Sequence, residues 1–183
     1  MRARLCSQNA HKLGELRAAL PGWELQLLDA GDYPPEDGDT YEVNARGKAV
    51  HGRAVGPADE WMLGEDSGIE CAALDGAPGL KSARWAPAAT QAEALVERLQ
   101  GEPNRRARMV AVLVALAPDG AETVGVGVME GTIADEPRGA EGFGYDPVFI
   151  PEGEQQTVAE LGDEWKRSNS HRARAAAALL ARN

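Results

Sequence analysis

Two adjacent carboxylates, Glu65 and Asp66, stand in the stretch GEDSG, where an apolar run gives way to serine and glycine. Like charges side by side repel each other unless a cation or a proton lies between them, so this pair is a candidate metal site. Oxygen ligands in small number suit Mg²⁺, which keeps water molecules and takes further ligands from substrate phosphates. Glu42, at the start of a predicted helix, is a third carboxylate that could reach the same metal. The competing interpretation is a polar turn whose acids are solvated.

Lysine is scarce in this chain, and its positions are therefore informative. Of the nineteen basic residues only four are lysine, namely Lys12, Lys48, Lys81 and Lys166. An ammonium group is a compact point charge that suits a single phosphate oxygen, whereas the guanidinium of arginine is a planar fork. Lys48 follows Asn44 by about one helical turn, so both side chains are expected on one helix face. The alternative interpretation is that these lysines have no function, are solvated, and reflect only drift in amino-acid composition.

The stretch SQNAHK, residues 7–12, has the properties of a phosphate site. It joins a predicted strand to the N-terminus of a predicted helix, where free N–H groups and the helix dipole favour an anion. Ser7, Asn9 and Lys12 could add donors from their side chains. The alternative is an ordinary capped helix with a solvated lysine.

A second basic group occurs in WKRSNSHRARA, where Lys166, His171 and Arg172 surround the start of a predicted helix. One of residues 168–170 is the expected N-cap. Cations at a helix N-terminus oppose the dipole, so His171 and Arg172 are unfavourable there unless an anion or a polar ligand compensates. This position favours a binding role over a solvated helix end.

Aromatic residues are only 5% of the chain, yet EGFGYDPVFIP holds Phe143, Tyr145 and Phe149 around Asp146. The stretch contains too much glycine and proline to be a helix. It begins like a dinucleotide-binding fingerprint, but Pro147 occupies the third glycine position, and no P-loop pattern occurs in the chain. These features argue against a kinase or a nicotinamide enzyme. Phe149 is expected in the core.

The composition limits the class of protein. The 183 residues suit one domain, or two small lobes that share a core, and the net charge of -10 argues against binding nucleic acid without sequence preference. No apolar run is long enough to span a bilayer, and we expect no secretory signal, since the first residues show no charged stretch followed by an apolar run. Cys6 and Cys71 lie in apolar stretches and are expected to be buried thiols in a reducing cytosol.

The elements that must position these residues follow from the pattern of apolar residues. Strands are expected over 1–6 and in a hairpin around the turn 118–120, and GEDSG is expected to form a tight turn between two strands. Helices are expected after Asn9, over 41–55, after Thr90 with Glu93 as a capping box, after Thr157 with Glu160, and over 170–183. Residues 30–40 are a predicted loop. The alternation predicts an α/β fold with a mixed sheet and flanking helices.

These stretches, in this order, resemble the inosine triphosphate pyrophosphatase family, whose members hydrolyse non-standard purine nucleoside triphosphates. SQNAHKLGEL is similar to the family opening T-x-N-x-x-K-x-x-E-L, and YEVNARGKA resembles its helix E-x-N-A-x-x-K-A. GEDSGIECAALDGAPGLKSARWA, GFGYDPVFIP, TVAEL and KRSNSHR follow with the spacing of the family. These six motifs occur in the order of the family and are spread along nearly the whole chain.

The resemblance implies an elongated α/β fold with a mixed twisted sheet, two lobes around a nucleotide cleft, and a homodimer. It implies hydrolysis between the α- and β-phosphates of dITP, ITP or XTP, with Mg²⁺ as cofactor. By position, Asp66 would be the general base or would orient the attacking water, Lys48 would assist catalysis, and Asp66 and Glu42 would bind the metal. The residues implied to bind substrate are Ser7, Gln8, Asn9, Ala10, His11, Lys12, Ser67, Phe143, Gly144, Tyr145, Asp146, Lys166, His171 and Arg172.

The resemblance also explains the aromatic stretch as a base pocket. Phe143 or Tyr145 would stack on the purine, Asp146 would accept a donor from base or ribose, and His171 with Arg172 would donate to the 6-keto oxygen. Adenine presents an amino group there, so buried donors would face another donor. Such a mismatch can lower kcat/KM for the wrong base by a factor of about 10⁴.

Four positions depart from the family pattern, namely Gln8, Glu65, Lys81 and Asn169. Glu65 replaces an aspartate of the family pattern, which moves the carboxylate by about one methylene. Of the four departures, this one is expected to affect the geometry of a bound metal most. Two other functions remain open at this point: a related pyrophosphatase for modified pyrimidine or standard nucleotides, and a nucleotide sensor without turnover.

Overall fold

Six strands form one mixed sheet in the computed structural model, which describes residues 1–182. They are β1 (Arg2–Leu5), β2 (Glu24–Leu27), β3 (Trp61–Cys71), β4 (Arg106–Leu116), β5 (Glu122–Ile133) and β6 (Phe149–Pro151). Their order in the sheet is β2-β1-β3-β4-β5-β6. β1 pairs in parallel with β2 and β3, whereas β5 and β6 are antiparallel. The predicted α/β class with a mixed sheet is confirmed.

Five α-helices accompany the sheet within residues 1–182: α1 (Ala10–Ala19), α2 (Tyr41–Val55), α3 (Gln91–Arg98), α4 (Val158–Asn169) and α5 (His171–Leu180). The predicted N-cap of α1 is confirmed, because the Asn9 side chain accepts hydrogen bonds from two backbone N–H groups of the first turn. The capping box of Thr157 and Glu160 is present at the start of α4. The last position of the predicted final helix, Asn183, lies outside the described residues.

Two local predictions are wrong. The stretch GEDSG forms no turn, because β3 runs unbroken through it from Trp61 to Cys71. β3 lies between β1 and β4 in the sheet, and its pairing with β1 ends at Leu63. The strand continues beyond that point as the neighbour of β4, a distant segment of the chain, and this outweighs the local turn preference of serine and glycine. Helix α3 forms as expected, but Thr90 makes no side-chain cap. Its hydroxyl donates instead to the carbonyl of Pro87 in the preceding turn.

The chain divides into two compact units. Unit 1 contains residues 1–66, 111–127 and the described part of 171–183, and unit 2 contains residues 67–110 and 128–170. In unit 1, α1 and α5 pack with β1 and β4 in one apolar cluster, while α2 contributes to a second cluster around Met62. In unit 2, α3 packs with strand residues around Phe149, which is fully buried as predicted.

Glycines in two strands allow helices to approach closely. A Cβ at Gly64 in β3 would overlap the carbonyl of Ala45, so glycine here lets α2 lie against the strand. A Cβ at Gly127 in β5 would overlap the carbonyl of His171, the first residue of α5. Both contacts bring a candidate functional segment to the sheet.

Cys6 and Cys71 are buried free thiols, as predicted. Burial raises the pKa of Cys6 to about 12 and that of Cys71 to about 11. Across residues 1–182, none of the helices combines the length and apolar character required to cross a membrane.

Candidate active site

Asp66 lies at the centre of a buried polar cluster in unit 1, which we call the Asp66 cluster. Its carboxylate accepts hydrogen bonds from Lys48 Nζ at 3.0 Å and from Asn44 Nδ2 at 3.1 Å. All three side chains are almost fully buried. Asn44 and Lys48 do project from one face of α2, as their spacing predicts, and the close approach of α2 to β3 at Gly64 brings them to the carboxylate.

Glu36 is a second acid of this cluster. Its Oε1 lies 2.5 Å from Lys48 Nζ, so one ammonium group meets both Glu36 and Asp66. Asn44 holds the loop that carries Glu36, because its Oδ1 accepts the backbone N–H of Gly38 at 2.9 Å. Two carboxylates therefore converge on Lys48 from a strand and a loop.

The charges of the cluster affect each other's ionisation. Burial raises the pKa of Asp66, and the nearby Glu36 adds to this, although Lys48 and Asn44 oppose it. Burial opposes the charged form of Lys48, but Asp66 and Glu36 outweigh this and raise its pKa. A carboxylate with a raised pKa is a stronger base towards water, which suits a group that must accept a proton.

Glu65 belongs to a separate network in the same unit, which we call the Glu65 network. Its fully buried carboxylate lies 2.6 Å from Lys12 Nζ and 2.9 Å from Arg172 Nε. Nη1 of Arg172 lies 3.1 Å from Glu15 Oε2. Burial alone would raise the pKa of Glu65, but Lys12 and Arg172 outweigh it and hold the pKa far below its usual range.

The Glu65 network compensates the positive charge of Arg172 at the start of α5. Arg172 follows the first residue of α5, where a cation opposes the helix dipole. The compensating anions are the carboxylates of Glu65 and Glu15. Adjacent carboxylates thus have different partners, since consecutive residues of a strand point to opposite faces of the sheet.

The turn 7–12 joins β1 to α1 as predicted. Asn9 Oδ1 accepts the N–H groups of His11 and Lys12 at 2.9 and 3.2 Å, and the Ser7 hydroxyl accepts the N–H of Asn9 at 3.1 Å. Gln8, one of the departures from the family pattern, donates from its amide to the carbonyl of Gly31 at 2.9 Å. The turn is therefore well ordered, with Ala10 and His11 at the exposed start of α1.

A further polar group lies in unit 2, and we call it the Asp146 group. Asp146 Oδ2 accepts Lys166 Nζ at 2.7 Å and the backbone N–H of Phe143 at 2.9 Å. The ammonium of Lys166 lies 5.0 Å from the centre of the Phe143 ring, within range of a cation–π interaction. Lys166 thus contacts two residues that sequence reasoning placed in a base pocket.

The two candidate aromatics differ in their surroundings. Tyr145 packs in the core of unit 2 and donates its hydroxyl to the carbonyl of Ser82 at 2.8 Å. Phe143 is half-buried, so its ring is the more accessible of the two. Gly144, between them, has a positive φ of 64° that glycine adopts without strain. Of the two aromatic residues expected at the base pocket, Phe143 therefore has the more accessible ring.

Glu42 and Ser67 complete the residues proposed from sequence. Glu42 pairs with Arg46 at 2.7 Å, and Arg46 also pairs with Glu122 at 2.7 Å. Ser67 is half-buried in β3, next to Asp66. Within residues 1–182, the His, Cys, Asp and Glu side chains form no group of three or more suited to a metal ion.

Sequence reasoning missed Glu36 and Glu15 as partners of functional side chains. Glu15 follows Lys12 by three residues on α1, so helical spacing could have placed it beside the same network. Glu36 lies in the irregular loop before α2, where no periodicity indicates the direction of a side chain. Its role is visible only in the folded chain.

Comparison with known proteins gives a consistent result over nearly the full length. Residues 3–182 match the model of the Ham1 family. The chain is 44% identical to a dITP/XTP pyrophosphatase of Bdellovibrio bacteriovorus, covering 96% of this chain and 94% of the relative. It is 46% identical to a dITP/XTP pyrophosphatase of Deinococcus deserti, covering 94% of this chain and 85% of the relative.

Solved structures agree with this result. The Ham1 protein of Staphylococcus aureus superposes with a TM-score of 0.82 at 32% identity, covering 100% of both chains. A nucleoside-triphosphatase, also described as a dITP/XTP pyrophosphatase, from Mycobacterium abscessus superposes with a TM-score of 0.74 at 39% identity, covering 98% of this chain and 99% of that one.

Proposed function

The chain belongs to the Ham1 family, and from this premise we propose how its residues hydrolyse non-standard purine nucleoside triphosphates. The enzyme is a nucleoside triphosphate diphosphatase, with dITP, ITP and XTP as substrates and a nucleoside monophosphate and pyrophosphate as products. Its relatives named dITP/XTP pyrophosphatase support this activity, and they do not favour the pyrimidine or sensor alternatives. The resemblance to the inosine triphosphate pyrophosphatase family is thereby confirmed.

The observation that carries the mechanism is the buried Asp66 cluster. Asp66 has a raised pKa and is held by Lys48 and Asn44, so it is suited to orient a water molecule and accept its proton. Lys48 Nζ supplies a positive charge beside this position that would stabilise the charge developing on the α-phosphate. Little covalent chemistry is needed from the protein, because phosphoryl transfer depends mainly on position and charge.

We propose that Asp66 and Glu36 of this cluster would bind a divalent cation, Mg²⁺. Asp66 and Glu36 present oxygen ligands around one ammonium group, and an oxygen set of this size suits a metal that also binds water and phosphate. Glu42 was the second ligand predicted from sequence, but its carboxylate pairs with Arg46. Glu36 shares the ammonium of Lys48 with Asp66, so we propose Glu36 for this role. When bound, Mg²⁺ would neutralise charge on the phosphates.

We propose that Lys12 and the turn 7–12 contact the phosphates. Lys12 reaches Glu65 from the first turn of α1, where N–H groups and the dipole favour anions. The Glu65 network fixes Lys12 and Arg172 in one arrangement, so both cations are held before substrate arrives. Preorganised charges of this kind need no rearrangement during the reaction.

We propose that the Asp146 group of unit 2 contacts the purine nucleoside. Phe143 would stack on the base, with Gly144 and the buried Tyr145 supporting the loop, and Asp146 with Lys166 would bind polar atoms of the nucleoside. His171 and Arg172 would donate to the 6-keto oxygen, and their burial makes a mismatched amino group costly.

We further propose that residues 1–183 act as a single catalytic domain, and that the protein is a cytoplasmic homodimer without affinity for nucleic acid. Buried free thiols support a reducing compartment, and the net charge of -10 disfavours a phosphate polymer. The dimer rests on the family resemblance.

The test is pyrophosphate release from dITP, ITP, XTP, GTP, ATP and dTTP, each with Mg²⁺ and with a chelator. Metal-dependent release from dITP, ITP and XTP, with much slower release from the standard nucleotides, is expected. Equal release from ATP or dTTP would contradict the proposed base recognition, and release that survives the chelator would contradict the metal role. The same assays with Mn²⁺ in place of Mg²⁺ test whether this metal can substitute.

A further inference from the structure

Helix α4 is interrupted at Gly162, and the interruption isolates the segment that carries Lys166. Gly162 has φ 82° and ψ 177°, which is non-helical and lies in the region that glycine adopts without strain. The Thr157 capping box serves the turn before the break. The segment 163–169 after the break starts behind a glycine, which has no side chain to cap its first N–H groups.

The missing cap comes from a residue distant in sequence. The backbone N–H of Asp163, the first residue after the break, donates to Glu141 Oε2 at 2.8 Å. A Cβ at Gly162 would crowd that same carboxylate oxygen, so the glycine leaves space for Glu141. A carboxylate at a helix N-terminus also interacts favourably with the dipole.

The loop that starts at Glu141 is bonded to α4 at three other points. Glu141 N–H donates to the carbonyl of Ala159 at 3.4 Å, and Ala159 N–H donates to the carbonyl of Asp146 at 3.1 Å. Lys166 Nζ donates to the Asp146 carboxylate at 2.7 Å. Ala159 lies before the break at Gly162, whereas Asp163 and Lys166 lie after it, so the contacts of this loop reach both sides of the interruption.

We propose that Glu141 is a positioning residue for nucleotide binding. It caps the segment 163–169 and thereby holds Lys166 beside Asp146 and over the ring of Phe143. The inference rests on the proposed function, since it is the nucleotide that Lys166 and Asp146 would bind. Without the cap, Lys166 occupies its binding position for a smaller fraction of the time, and apparent affinity falls by that fraction.

The first experiment compares KM and kcat for ITP among Glu141→Ala, Glu141→Gln and a matched control, Glu164→Ala. Glu164 is an exposed acid in the same segment and pairs with Arg167 at the surface. Glu141→Ala is expected to raise KM about fivefold, the factor that corresponds to the loss of a helix cap, with kcat within about twofold. Glu141→Gln keeps an acceptor oxygen and is expected to restore KM to within about twofold of the wild type, and the control is expected to match the wild type.

A second experiment asks whether Glu141 acts through Lys166. In a Lys166→Ala background, adding Glu141→Ala is expected to leave KM unchanged, because interacting residues are not additive. A further increase of about fivefold in the double variant would overturn the proposal, as would an unchanged KM in Glu141→Ala alone.

Amide hydrogen exchange separates this inference from the proposed function, because it needs no substrate. Peptides covering 163–169 are expected to exchange faster in Glu141→Ala and at the wild-type rate in Glu141→Gln and Glu164→Ala. Unchanged exchange in Glu141→Ala would refute the cap itself. If the wild type released no pyrophosphate from ITP, the proposed function would fail, and equilibrium binding of ITP to the same variants would decide the positioning role.

Discussion

Replacing Asp66 by asparagine tests the centre of the mechanism. The side chain keeps its size, but the carboxylate that accepts from both Lys48 and Asn44 becomes an amide with one acceptor oxygen. The amide nitrogen must then face one of two buried donors. A buried donor without an acceptor destabilises a protein by about 1–3 kcal/mol, although Lys48 keeps its ion pair with Glu36.

A loss of about 2 kcal/mol lowers the Tm of a chain of this size by roughly 4–8 °C, so the variant should remain folded at 25 °C. The loss of catalytic rate in this variant should be much larger than the loss of stability. An amide cannot accept a proton from water, and loss of a general base typically reduces kcat by about 10²–10⁴. Nucleotide binding should remain measurable, because Lys12 and the turn 7–12 are unchanged.

The assay is pyrophosphate release from dITP in the presence of Mg²⁺, with dITP binding measured by calorimetry and folding by thermal circular dichroism. Asp59→Asn is the matched control, because Asp59 is an exposed acid of the same unit that pairs with Arg2. It should retain the kcat and Tm of the wild type. A kcat for Asp66→Asn within about threefold of the wild type would remove Asp66 from the proposed role.

Three further predictions follow from individual residues. Gly64→Ala should lower the free energy of unfolding by about 1–3 kcal/mol, because its Cβ would overlap the backbone of α2; Gly47→Ala, which meets open space, should not destabilise and serves as the control in urea titrations. Arg172→Lys keeps a charge beside Glu65 but loses the planar guanidinium, so the ratio of kcat/KM for ITP over ATP should fall about tenfold; an unchanged ratio would place base selection elsewhere. The pKa of Cys6 is about 12 in the fold against 9.0 ordinarily, so the unfolded chain loses this proton first as pH rises. Cys6 should therefore leave stability unaffected below pH 9 and contribute a decline of about 1.4 kcal/mol per pH unit above it, in addition to the decline that Cys71 contributes. A Cys6→Ala variant with the slope of the wild type in alkaline urea titrations would contradict this.

Regular elements were predictable because their signals are local. The bounds of α2, the Asn9 cap and the Thr157 capping box all follow from residue types within a few positions of each other. The turn expected at GEDSG failed for the opposite reason. Its serine and glycine favour a turn locally, but β3 continues through the stretch beside β4, and that neighbour comes from a distant part of the chain.

The sequence by itself determined the chemistry of this protein. The acids, the scarce lysines and the aromatic stretch occur in an order that identifies the family, and Asn44 and Lys48 share a helix face by spacing alone.

Only the tertiary structure decided which groups are partners. It separated Glu65 from Asp66 into two networks, brought Glu36 from a loop to Lys48, placed Tyr145 in the core and used Glu141 to cap a helix segment 22 residues away. Such partnerships depend on close packing and on the matching of buried charges and donors. Neither the packing nor the pairing can be predicted from residues adjacent in sequence, because the hydrogen-bond and ion-pair partners lie on different helices, strands and loops.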